Sequence, residues 1–134
     1  MKSKIIAVIF GIILLFPISA QSQISLLDTE KVNDYLSLSS QQISKINPMI
    51  EQIKNIIEED KKIIAEIKER VKNDDEPGFF EKIGVKRGHD KRSSKIEDLI
   101  DDIEDQLTDQ QKTKFDNIEK PELKALKKED VFGK

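Results

Sequence analysis

Residues 39–72 read SSQQISKINPMIEQIKNIIEEDKKIIAEIKERVK, and the spacing inside this stretch decides the fold. Ile43, Ile46, Ile50, Ile53, Ile57, Ile64, Ile67 and Val71 recur three and four residues apart. Asp60 alone breaks the series, standing where the next apolar seam residue belongs. The pattern, sustained over about four heptads, specifies a long amphipathic helix whose apolar edge must be covered. Met49, Ile56 and Ile63 each precede a seam residue and widen the stripe, so the face is expected to meet more than one surface. The expected fold class is all-α: an elongated helical hairpin with a long kinked central helix, paired as a homodimer because two thin helices leave so wide a stripe uncovered.

The helix has a specified start. With Ser39 as N-cap, Gln42 falls at the third helical position and can reach back to the cap's own N–H, forming a capping box. Leu38 and Ile43 then stand where a hydrophobic staple needs them. Asn47-Pro48 is a second possible start, but the heptad phase continues across the proline, which favours one helix kinked between Ser44 and Pro48. Glu58 with Lys62 and Glu66 with Arg70 are i,i+4 pairs in the favourable order and read as a solvated face.

Working outward, the N-terminal end reads as a secretory signal peptide. Lys2 and Lys4 precede twelve apolar residues at 5–16, followed by Pro17 and small residues, with cleavage expected after Ala20 or Ser22. Twelve apolar residues fall short of the roughly 20 needed to span a bilayer. Residues 1–22 are therefore a leader, and 23–134 a single exported, soluble, periplasmic domain, touching a membrane only through an uncleaved leader. The chain has no cysteine and a formal net charge of -3, with 37% of residues charged. No disulfide framework is possible, and the acidic balance argues against a nucleic-acid partner.

Residues 21–27 read as an unfixed segment, and Asp28 or Thr29 as the cap of a short helix carrying Val32, Tyr35 and Leu36. Beyond the long helix, residues 73–92 contain Gly78, Gly84 and Gly88 with a run of lysines and arginines, and read as a long loop. Ser94 and Glu97 form an expected capping box that opens a helix with Ile96, Leu99, Ile100, Ile103 and Leu107 on one edge. Thr108 and Gln111 repeat the punctuation of Ser39 and Gln42 and start a helix through Phe115 and Ile118. The tail from about residue 129 is expected to be loose.

Leu38-Ser39-x-x-Gln42 and Leu107-Thr108-x-x-Gln111 are two copies of an L-[S/T]-x-x-Q motif, extended by Lys45-Ile46 and Lys114-Phe115. Two such motifs in an exported, helical, cysteine-free chain resemble the Spy/CpxP family of periplasmic LTxxQ proteins, over residues 32–119. The resemblance implies hairpin helices paired in a curved homodimer and ATP-independent binding of non-native envelope proteins under stress. It also implies an alternative, an accessory that binds and restrains the periplasmic domain of an envelope-stress sensor kinase or responds to metal. Ser39 departs from the family's threonine but keeps the cap. The family's client-binding residues cannot be carried over by motif.

The chain offers no enzyme site: with one histidine and no cysteine, no nucleophile–base set can be assembled. No metal, cofactor or catalytic residue is expected. His89, between Gly88 and Asp90 in the basic loop, reads as an exposed histidine whose use as a ligand would need partners from elsewhere. The acidic residues from Glu97 to Asp105 lack the glycine-turned loop of a calcium site. The candidate contacts for non-native clients are Met49, Ile56, Ile63, Phe79, Phe80 and Ile83, with Lys86 and Arg87 as attracting charge. The motif residues Leu38, Ser39, Gln42, Leu107, Thr108 and Gln111 read as helix caps, the two glutamines contributing less to stability than Ser39 and Thr108.

Overall fold

The computed structural model describes residues 23–132; the expected leader at 1–22 lies outside the described residues. The fold is all-α, with helices α1 (Thr29–Leu36), α2 (Ser40–Lys72), α3 (Phe79–Asp105), α4 (Asp109–Phe115) and α5 (Lys128–Phe132). At 1.5 Å per residue, α2 is about 50 Å long and α3 about 40 Å. They form the antiparallel hairpin; α1 packs on α2 and α4, and α5 lies on α2.

The punctuation of the sequence is realised. Asp28 caps α1, accepting from the N–H of Lys31. Ser37 ends that helix in the left-handed conformation, its N–H returning to the carbonyls of Asn33 and Asp34. Ser39 caps α2 within a complete capping box, and the helix runs without a break through Pro48.

The connection between the long helices differs from the expected loop. Residues 73–78 suffice, turning on Asp74 at a φ of 62°, and α3 starts at Phe79 with Gly78 as its cap. Ser94 and Glu97 are therefore mid-helix, not a capping box. A helical glycine costs about 1 kcal/mol; packing along α3 offsets two of them. The seam explains why: Val85, His89, Arg92, Ile96, Leu99 and Ile103 recur at spacings of four and three, in phase with α2.

Burial divides into two apolar clusters strung along the hairpin. The larger joins Ile46, Ile50 and Ile53 of α2 to Ile96, Leu99 and Ile103 of α3, with Val32, Leu36, Phe115 and Ile118 closing the end. Fully burying an isoleucine contributes about 1.5–3 kcal/mol, so this end holds most of the stability. Leu26 is also fully buried, and the bridge between Ser25 and Glu119 fixes its segment; residues 24–27 are not an unfixed leader. The smaller cluster joins Ile67 to Val131 and Phe132, flanked by Ile64, Val71, Val85 and Leu126. The tail is thus helical and buried at 131–132, not loose. The first half of the α2 stripe is covered within one chain, so its width does not call for a dimer.

Candidate functional site

Three constellations draw on the residues singled out by the sequence. The first is at the end of the hairpin where the two L-[S/T]-x-x-Q motifs meet. Each glutamine closes its own capping box: Ser39 N–H donates to Gln42 Oε1 at 2.9 Å, and Thr108 N–H to Gln111 Oε1 at 2.9 Å. The two amides also clasp each other. Gln42 Nε2 donates to Gln111 Oε1 at 2.7 Å, and Gln111 Nε2 to Gln42 Oε1 at 3.1 Å. Each amide nitrogen then reaches the helix end preceding the other motif: Gln42 to the Gln106 carbonyl at 2.9 Å, Gln111 to the Leu36 carbonyl at 3.0 Å. The glutamines are cross-links between two helix starts, and these tertiary bonds weigh against the expectation that they matter less than Ser39 and Thr108.

The second constellation lies between the apolar clusters. Asp60, the residue that interrupts the α2 seam, is buried, and so is His89. His89 Nδ1 lies 2.9 Å from Asp60 Oδ1 and 3.0 Å from Oδ2, while Arg92 Nε donates to Oδ1 at 2.8 Å. The other imidazole nitrogen, Nε2, is 2.7 Å from the Lys124 carbonyl. His89 is not an exposed loop histidine: it stands on α3, in register with Asp60. A Cβ on Gly88 would come within 3.1 Å of Arg92 Nη1, so the glycine leaves the arginine room to lie across it. A buried carboxylate needs pairing and full hydrogen bonding, and this one has both. Both nitrogens of His89 are engaged, and among the described residues no cluster of histidines and acids fit for a metal ion occurs.

The third is the turn end of the hairpin. Phe79 and Phe80 meet edge to face at 5.5 Å between ring centres, yet are 66% and 86% exposed. They do not plug the hairpin. Phe79 and Ile83 border a cavity of about 440 Å³ closed by Leu126 and Phe132 and rimmed by Lys82, Lys86, Lys127 and Lys128. Lys82 pairs with Glu76 and lies 4.9 Å from the centre of the Phe132 ring; Lys86 pairs with Asp90. Nearby, Arg70 forks both oxygens of Glu81 and also holds Asp75. Hydrogen bonding to Arg70 keeps the Glu81 carboxyl below its ordinary value, and the two acids raise the guanidinium.

The structure thus brings Phe79, Ile83 and Lys86 together, with Phe80 beside them and Arg87 exposed on the same helix. Met49 and Ile56 are packed against the large cluster, and Ile63 is half-buried on α2, so these three do not join the aromatic end. Sequence reasoning missed Asp60 and Arg92 as partners and Leu126, Val131 and Phe132 as core. A seam counted backward from Ile96 through Arg92 and His89 to Val85 finds Arg92, and the gap in the α2 seam marks Asp60. No family model, curated protein or solved structure matches the chain. Among the described residues no helix is long and apolar enough to cross a membrane.

Proposed function

We propose that this chain is an exported, periplasmic, ATP-independent holdase of the Spy/CpxP type that shields non-native envelope proteins under stress. The observation that carries the reading is the aromatic pair Phe79 and Phe80, left in water beside lysines on a helix end. Exposed adjacent aromatics on a small chain mark a contact surface. Exposed apolar groups can accept many client shapes, and the surrounding charge draws unfolded chains before they collapse. The mutual clasp of the two L-[S/T]-x-x-Q motifs supports treating them as a designed pair and not two chance capping boxes.

The test is aggregation, followed by light scattering without ATP, of several unrelated denatured proteins with and without this protein. The expected result is suppression at ratios near one protein per client, across clients. Suppression of none at an excess overturns the holdase and leaves the accessory of a single receptor, such as a sensor kinase, to be sought by pull-down from envelope extracts.

A further inference from the structure

Residues 121–132 sit in the fold as a ligand sits on a receptor. From 121 to 127 they form neither helix nor strand. Their side chains Leu126, Val131 and Phe132 enter the cleft between α2 and α3, against Ile64, Ile67 and Val85. Among the described residues one hydrogen bond fastens the extended part to the hairpin, from His89 to the Lys124 carbonyl. The fit is incomplete: a crevice of about 290 Å³ remains beside the segment, reaching Asp60 and His89.

We propose that this cleft is a binding groove for peptide segments, occupied in the free protein by the chain's own C-terminal stretch, and that the His89 imidazolium is the fastener governing its release. The segment in place states the chemistry of the partner: an aliphatic residue followed, five and six positions later, by an aliphatic–aromatic pair, with two lysines and two acids between. Unfolded chains present such segments; a folded protein buries them. Use of the groove for clients rests on the holdase reading, whereas peptide binding does not.

The role of His89 follows from its partners. A carboxylate and a carbonyl only accept hydrogen bonds, so holding both requires a proton on each ring nitrogen. Asp60 faces His89 from α2 and Arg92 from α3, while Lys61 and Lys68 of α2 and Glu122 and Lys124 of the segment line the same crevice. When the ring loses a proton, the carboxylate retains Nδ1–H and the Nε2 lone pair is turned against the Lys124 carbonyl. Asp60 stays neutralised by Arg92. The segment is therefore held while the ring carries both protons and freed when it loses one.

The experiment uses the full chain and a labelled synthetic peptide of residues 120–132. Val131→Asp with Phe132→Asp expels the resident segment, which otherwise competes at the high effective concentration of a tethered ligand. The substituted protein should bind the peptide about tenfold tighter or more than the parent at low pH, and a peptide carrying the same two aspartates should not bind. With the resident segment expelled, the substituted protein should bind the peptide more weakly as pH is raised from about 5.5 to about 8, because the Lys124 carbonyl of the peptide loses its donor, while the same protein carrying His89→Gln binds it equally at both. Equal binding by parent and substituted protein, with helix content retained, overturns the groove; pH-independent peptide binding by the substituted protein overturns the fastener. Should the substituted protein not fold, hydrogen exchange on the parent decides: residues 121–132 must open far more readily than α2, and more so at higher pH after intrinsic rates are removed. Tight peptide binding without aggregation suppression would sink the holdase and leave the groove standing.

Discussion

Gln111→Ala removes a side chain that makes five tertiary or capping bonds, the longest of them to the Ser37 carbonyl, and its cost can be worked from the other four. Lost are the acceptor for Thr108 N–H, both bonds of the reciprocal amide pair, and the donor to the Leu36 carbonyl. At about 0.5–1.5 kcal/mol net per bond, with water recovering part at this half-buried site, the loss is about 2–4 kcal/mol. Thr108→Ala removes one capping acceptor, for about 0.5–2 kcal/mol. The glutamine therefore outweighs the threonine. Against a total stability of about 5–15 kcal/mol for such a domain, the change should lower the melting temperature by roughly 10 °C or more. Urea denaturation followed by circular dichroism gives the free energies, and a cycle with Gln42→Ala isolates the pair. Contacting groups should couple by about 0.5–3 kcal/mol. If Gln111→Ala costs no more than Thr108→Ala, or the two glutamine changes simply add, the clasp does not bind the motifs together.

Phe79→Ser with Phe80→Ser should leave the melting temperature within a few degrees, because both rings face solvent, yet weaken client protection in light scattering; a large drop in melting temperature would show that the rings are structural. Asp60→Ala leaves the Arg92 guanidinium and His89 Nδ1 without their buried partner and should cost about 3–5 kcal/mol in urea denaturation, whereas a cost below about 1 kcal/mol would mean the carboxylate is not needed to hold His89 and Arg92. Glu81 is depressed by Arg70, so its pairing supports the fold fully above the ordinary carboxylate range and is lost as pH falls through the depressed value. Carbon NMR titration of the Glu81 carboxyl should show that low midpoint, and Arg70→Ala should return it to the ordinary range.

Local chemistry determined a good part of this protein before any packing was known. The three-and-four spacing of the isoleucines made α2 a helix, and Ser39 with Gln42 and Thr108 with Gln111 fixed two helix starts, because a capping box is satisfied within four residues. The exposure of Phe79 and Phe80 was not legible, since whether an apolar pair is covered depends on where the chain ends its turn. Nor was the course of residues 79–92. Their glycines and charges favour a loop taken alone, and only burial of Val85, His89 and Arg92 against α2 carries the helix through them. Asp60 appeared as a flaw in one seam and His89 as a stray residue in a basic run. Tertiary structure made them partners, because a carboxylate can enter a core only where opposite charge arrives from another element, and such meetings join residues far apart in sequence. The two glutamines follow the same rule: each cap is local, and the clasp exists only because folding brings position 42 to position 111.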